Sequence, residues 1–170
     1  EVLRTGRPHR APLCLISGGE TTVTLKGDGL GGRNQEFVLA AAMDLVGLPG
    51  VAVLSGGTDG TDGPTDAAGA TADGYSAERA VRAGMDPARF LSANDSYHFF
   101  EKLGDLLKTG PTNTNVMDVR LLLIGAGQTA ERTAYLLLRA GAARLVVANR
   151  TREHAHTLAA AIREGRVDGK

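Results

Sequence analysis

The sequence predicts an α/β fold: a mixed or mostly parallel sheet with helices on both faces, continued by a partial βαβα segment. Three observations carry this. Short apolar or β-branched runs alternate along the chain with stretches whose apolar residues recur at helical spacing. Glycine makes up 23 of 170 residues with no triplet period, which excludes collagen and favours tight turns between strands and helices. Leu121–Ile124 passes directly into Gly125-Ala126-Gly127-Gln128-Thr129-Ala130, an apolar strand opening through a glycine-spaced turn onto a helix.

Leu13–Ile16 is an apolar run closed by Ser17-Gly18-Gly19, and Thr21–Leu25 is rich in β-branched residues, so strand, turn and second strand are expected. Residues 27–32 form a glycine-rich loop. From Asn34 to Val46 the residues Phe37, Val38, Ala41, Leu45 and Val46 fall on one helical face, and Gly47 with Pro49 ends the helix. Val51–Leu54 reads as a buried strand of the parallel type. Residues 55–69 are rich in Gly and Asp without period, a long loop of the kind that usually carries function. Short helices are expected over 76–83, from Asp86-Pro87 onward, and over 96–103, each with a capping signal; Asn94-Asp95-Ser96 reads as such a cap. A polar loop, 109–115, leads to the strand Val119–Ile124. Helices from about Thr129 to Ala140 and Thr151 to Glu164, around a strand Arg144–Ala148, complete the chain.

Charge divides the chain in two. Residues 1–118 hold 10 basic and 15 acidic side chains, residues 119–170 hold 9 and 4, so −5 faces +5 within a net charge of zero. Two domains are therefore expected, 1–118 and 119–170. Balanced charge and recurring apolar runs exclude intrinsic disorder, and no apolar stretch approaches the ~20 residues of a membrane span. No basic stripe with interleaved aromatics exists, so nucleic acid is not an expected partner. The single Cys14 lies in an apolar run and reads as a small core residue in a reduced, cytoplasmic setting. The start at Glu1 without a leader suggests an excised piece. Oligomeric state, a homo-oligomer included, stays open.

Three constellations could carry chemistry. In the G-x-G-x-x-A stretch, Gly125 permits the turn, Gly127 lets backbone approach a pyrophosphate and Ala130 lets helix and strand pack. Asn149-Arg150-Thr151 follow the next strand, where an Arg suits the 2′-phosphate of NADP; a βαβ turn that merely needs small residues is the alternative. Gly27-Asp28-Gly29-Leu30-Gly31-Gly32-Arg33-Asn34 has phosphate-loop spacing, but Arg33 and Asn34 replace Lys and Ser/Thr, so it fails as a Walker motif. What survives is a backbone rich in N–H groups beside an Arg able to hold a phosphate or carboxylate, against the alternative of a glycine hairpin with an exposed Arg. Asp59, Asp62 and Asp66 cluster after a strand; they could bind magnesium or orient a hydroxyl, or stabilise the loop through Asx turns. His9, His98, His154 and His156 lack partners at metal spacing.

Five ordered motifs resemble the MOFRL domain, the C-terminal part of class II glycerate kinases, whose members are often labelled hydroxypyruvate reductase. They are Ser17-Gly-Gly-Glu20-Thr-Thr-Val, Gly31-Gly-Arg33-Asn34-Gln35-Glu36, residues 55–66, Asn94-Asp95-Ser96-Tyr97 and Thr109-Gly-Pro-Thr112-Asn-Thr-Asn115-Val. Asn113 stands where the family usually has Gly, and Met117 where it has Asn. The resemblance covers about residues 11–124. It implies ATP- and Mg2+-dependent phosphorylation of D-glycerate in a cleft shared with an N-terminal domain, which this chain alone lacks. It further implies Arg33, Asp59 and Asp62 as catalytic residues, with Asp59 and Asp62 on the metal. Gly18, Gly19, Glu20, Asn34, Thr65, Asp66, Thr112 and Asn115 would contact substrate. Residues from 119 onward resemble instead the NADP-binding, Rossmann-like domain of glutamyl-tRNA reductase, which would place NADP on Gly125, Gly127, Ala130, Asn149, Arg150 and Thr151. A non-catalytic anion-binding module is the remaining reading.

Overall fold

The first strand, β1 (Leu13–Gly19), is followed after an extended stretch and the glycine loop by helix α2 (Arg33–Asp44); a single-turn helix α1 (Val2–Thr5) precedes both. The chain continues through β2 (Val51–Gly57), β3 (Gly69–Asp73), three short helices α3 (Ser76–Arg82), α4 (Pro87–Ser92) and α5 (Ser96–Leu103), then β4 (Leu106–Leu107) and β5 (Asp118–Ile124). The computed structural model describes residues 1–11 and 13–125, and residues 1–125 form one compact unit.

The five strands lie in the order β1-β5-β2-β3-β4, and every pairing is antiparallel. The expected mostly parallel sheet is therefore incorrect, and the chain order gives the reason. β1 and β2, joined through α2, do run in the same direction, as a strand–helix–strand unit should. They are not neighbours, because β5 enters between them and pairs with both. Nor do helices cover both faces: among the described residues the packed core lies on one. Val53, Ala70, Ala72 and Leu122 share that face and pack with Val38, Leu39 and Ala42 of α2, Ala80 of α3, and Phe99 and Phe100 of α5. The opposite face, with Ala52, Leu54, Leu121 and Leu123, is half-buried.

Other elements depart from the sequence reading for local reasons. β3 is Gly-Ala-Thr-Ala-Asp, a run with one β-branched residue, so its strand character comes from pairing with β2 and β4 and not from propensity. Thr21–Leu25, expected as a second strand, forms none and joins no ladder, and Leu25 is exposed. Cys14 is exposed too, because β1 is an edge strand. No helix among the described residues is long and apolar enough to cross a membrane.

Asn113 and Met117 both adopt positive φ, 58° and 67°. Gly and Asn enter that left-handed region easily, whereas a Met side chain there costs about 1–2 kcal/mol through its Cβ. Met117→Asn is accordingly expected to raise stability by about 1 kcal/mol in urea titration, through relief of that strain. An unchanged or lowered midpoint would mean that Met117 side-chain packing compensates.

Candidate functional site

One end of the sheet collects four of the five motifs. β1 finishes at Gly19, β2 finishes at Gly57, and β5 begins at Asp118 between them, in register Gly19↔Asp118↔Gly57. The two flanking glycines leave the Asp118 carboxylate open to the first turn of α2. Arg33 meets it with a two-pronged contact, Nε to Oδ2 at 2.7 Å and Nη2 to Oδ1 at 2.8 Å, and the Asn34 amide adds a third hydrogen bond to Oδ1 at 3.1 Å. Arg120 stands 3.6 Å away, with its guanidinium over the Phe37 ring. Arg33 Nη1 faces Glu20 Oε1 at 3.3 Å.

The electrostatics follow from these contacts. Hydrogen bonding to Asp118 raises the Arg33 pKa above the ordinary arginine value, so the guanidinium is fixed in its charged form. Burial alone would raise Asp118, but hydrogen bonds from Arg33 and Asn34 outweigh it, and the carboxyl titrates below the usual carboxylate range. Charge-assisted, bidentate pairs of this kind fix geometry as well as charge.

Asp62, expected beside Asp59 as a metal ligand, has another employment here. Its side chain is buried, and its oxygens accept from the backbone N–H of Asn34 at 3.0 Å and of Gln35 at 2.9 Å, and from the Asn34 amide at 3.2 Å. It caps α2 from a distant loop, where the local N-cap residue, Gly32, has no side chain to offer. Asn34 is wholly buried and ties Asp62 to Asp118 while accepting from the Ser55 hydroxyl. Thr65 accepts from the Gln35 amide at 3.0 Å and donates to the Asp62 carbonyl.

Asp59 lies on the partly exposed loop after β2. One oxygen accepts from the Thr61 N–H and hydroxyl in an Asx turn, and the Asp59 carbonyl accepts from Thr112 N–H at 3.2 Å. Thr112 also donates its hydroxyl to the Thr58 carbonyl, and Asn115 caps the backbone of Met117, so the 109–115 loop is stitched to the acidic one. Asp66 is drawn aside: Tyr97 donates to it at 2.8 Å and Lys108 at 2.9 Å. The three acids thus do not converge. Among the described residues no group of three acids, histidines or cysteines could hold a metal ion, so the residues present do not build a magnesium cage. Asp59 is the acid of the trio that neither caps a helix nor pairs with a cation.

The glycine loop is also not the open anion cradle its spacing suggested. Lys26 and Gly27 N–H donate to the Asn94 side chain at 2.7 and 3.0 Å, Gly29 N–H to the Ala93 carbonyl, and Leu30 N–H to Asp95 Oδ1, both at 3.0 Å. Asn94-Asp95 therefore clamps this loop; Asp95 makes no side-chain cap on α5. The glycines serve close approach: a Cβ on Gly27 would sit 2.4 Å from the Ala93 carbonyl oxygen, and one on Gly32 2.4 Å from Asp62 Cγ.

Of the expected dinucleotide set, Gly125 is described; its φ is 79° and its N–H donates to the Gly50 carbonyl at 2.7 Å. Gly127, Ala130, Asn149, Arg150 and Thr151 lie outside the described residues. The fingerprint strand is β5 itself, whose two edges are both occupied, antiparallel, by β1 and β2.

This arrangement can be set against known proteins. The sequence profile of the MOFRL family matches residues 13–118. The chain belongs to the MOFRL family. Among MOFRL relatives, a D-glycerate 2-kinase of Thermotoga maritima is 54% identical over 124 residues, covering 73% of this chain and 30% of that protein. A human glycerate kinase is 50% identical, over 73% of this chain and 25% of its own. A protein of Agrobacterium vitis described as a putative hydroxypyruvate reductase is 51% identical, over 71% and 28%. The Thermotoga maritima glycerate kinase crystal structure superposes with a TM-score of 0.71 over 72% of this chain and 30% of that one, and a Pyrococcus horikoshii structure, 41% identical, with 0.70 over 74% and 29%. The chain thus spans between a quarter and a third of the length of these relatives. A second profile, Shikimate / quinate 5-dehydrogenase, matches residues 109–168.

Sequence reasoning singled out Arg33, Glu20 and Asn34, which the structure brings together here, and did not single out Asp118, Ser55 and Arg120, which join them. The available signal was an Asp and an Arg, two residues apart, opening an otherwise apolar strand: a buried acid in such a place needs cationic partners.

Proposed function

We propose that this chain is the substrate-side part of an ATP-dependent glycerate 2-kinase, phosphorylating D-glycerate to 2-phosphoglycerate in the cytoplasm when completed by the N-terminal part its relatives carry. The observation that supports it is Arg33: a charged guanidinium held at the mouth of the sheet by a buried carboxylate, with Glu20, Gly18 and Gly19 on one side and the Asp59–Thr112–Asn115 loops on the other.

Bound ATP with Mg2+ supplies the transferable phosphoryl group and screens its charge. Phosphoryl transfer then rests on positioning and on neutralising charge spread over the phosphoryl oxygens. Arg33 pairs with the glycerate carboxylate or the transferring phosphoryl group. Glu20 accepts from a substrate hydroxyl, and Asp59 would hold the 2-hydroxyl or, as a single protein carboxylate, would help to hold a magnesium ion brought with the nucleotide. Asn34, Asp62 and Thr65 act from behind, fixing the first turn of α2.

Calorimetric titration of the full chain tests this reading. D-glycerate is expected to bind at about millimolar affinity, near −4 kcal/mol, and Arg33→Ala to abolish that heat; because the variant also leaves the buried Asp118 carboxylate without its two-pronged partner, it is expected to melt lower and is titrated at a temperature where it is still folded. Unchanged affinity in Arg33→Ala removes Arg33 from the site. The second reading, NADP held by Gly125–Ala130 with Asn149–Thr151, rests on the match to residues 109–168; NADPH heat with glycerate silent would favour it, and silence towards every ligand would favour a non-catalytic module.

A further inference from the structure

We infer that Asp118 is the positioning residue of this site: it fastens the inner edge of Arg33, so that the guanidinium meets an anion with its outer edge alone. The inference rests on the reading of Arg33 as the substrate-facing cation. A guanidinium has five N–H donors in a rigid plane, one on Nε and two on each terminal nitrogen. Asp118 takes the Nε donor and one of the Nη2 donors at 2.7 and 2.8 Å. The remaining donors, two on Nη1 and one on Nη2, lie along the opposite side, and there Nη1 faces Glu20 Oε1 at 3.3 Å.

Burial separates the two edges as clearly as distance does. The Asp118 side chain is 0% exposed, the Arg33 side chain 29% and that of Glu20 55%. The inner pair is thus sealed between β5 and α2 while the outer edge reaches solvent. Asp118 is itself held: Asn34 donates to it at 3.1 Å, and the Asn34 amide is oriented in turn by the Ser55 hydroxyl and by Asp62. Swinging Arg33 about its long stem would break two charge-assisted hydrogen bonds at once, whereas an unclamped arginine swings freely. A planar carboxylate or a phosphoryl group can therefore dock only in line with the Glu20 side, and Glu20 must yield the outer edge or share it. Lysine at position 33 would supply charge and no second edge.

Nitrogen-15 NMR of the Arg33 guanidinium in the full chain reads the clamp, with D-glycerate and inorganic phosphate as probes. In the unaltered protein the Arg33 Nε–H should exchange slowly and stay unshifted as D-glycerate is added, while the Nη signals move. Asp118→Asn, which keeps side-chain size, should speed Nε–H exchange and weaken D-glycerate about tenfold; if that variant does not fold, Asn34→Asp, which sets a third carboxylate against Asp118, serves in its place and should give the same two changes. Fast Nε–H exchange in the unaltered protein, or a Nε shift on ligand addition, overturns the clamp. Unaltered glycerate affinity in a folded Asp118→Asn protein overturns its use. Absence of D-glycerate binding in the unaltered protein defeats the kinase reading instead, and phosphate acting on the Nη signals alone would still uphold the clamp.

Discussion

Asp62→Ala is expected to cost the domain about 3–5 kcal/mol, read as a fall of roughly 10–20 °C in melting temperature. The size comes from what is left behind. Truncation strands the N–H groups of Asn34 and Gln35 at the buried start of α2 and removes one of the partners of the Asn34 amide. A lost helix cap costs about 0.5–2 kcal/mol, and each buried polar group left without a partner about 1–3 kcal/mol. Asp62→Asn, retaining one acceptor, should cost about half as much. A loss under 1 kcal/mol on Asp62→Ala, measured by urea titration, would show that α2 does not depend on this distant cap. The effect should reach the site, because the same turn of α2 carries Arg33.

Gly60→Ala should be nearly as severe, about 3 kcal/mol or more, by adding left-handed strain to a backbone clash. Gly60 has φ of +94°, and a Cβ there would lie 2.0 Å from the Gly110 carbonyl oxygen. The acidic loop and the 109–115 loop touch at this point, so relief of the clash must move Asp59 away from Thr112. Glycerate affinity should fall together with stability. A folded Gly60→Ala protein binding glycerate as before would mean that the apposition of these loops is not part of the site.

The sequence made the helices legible because their signals are local. Asp86-Pro87 opens α4, with the Asp86 side chain accepting from Ala88 N–H, and Gly104 closes α5 at φ 74°. Pairing is not local. Nothing between residues 13 and 57 announces that a strand sixty residues later will enter between β1 and β2, and so the sheet read as parallel. The site shows the same division. Arg33, Glu20 and Asn34 stood out as motif residues, but which acid would cap α2, which would pair with Lys108 and which would stay available depends on contacts 27 to 42 residues apart in sequence. The glycine loop misled for a related reason: glycine marks tight approach, and whether a phosphate or a neighbouring strand of backbone makes that approach is decided by the fold.

The most direct test joins this chain to the part its relatives possess. Residues 13–118 are set into the Thermotoga maritima D-glycerate 2-kinase in place of its matching stretch, and formation of 2-phosphoglycerate from D-glycerate and ATP is measured in the chimera and in its Arg33→Ala variant. The account predicts turnover in the chimera and a loss of at least about 100-fold in kcat/KM in the variant. A folded chimera without turnover, or one whose rate is indifferent to Arg33, would contradict it.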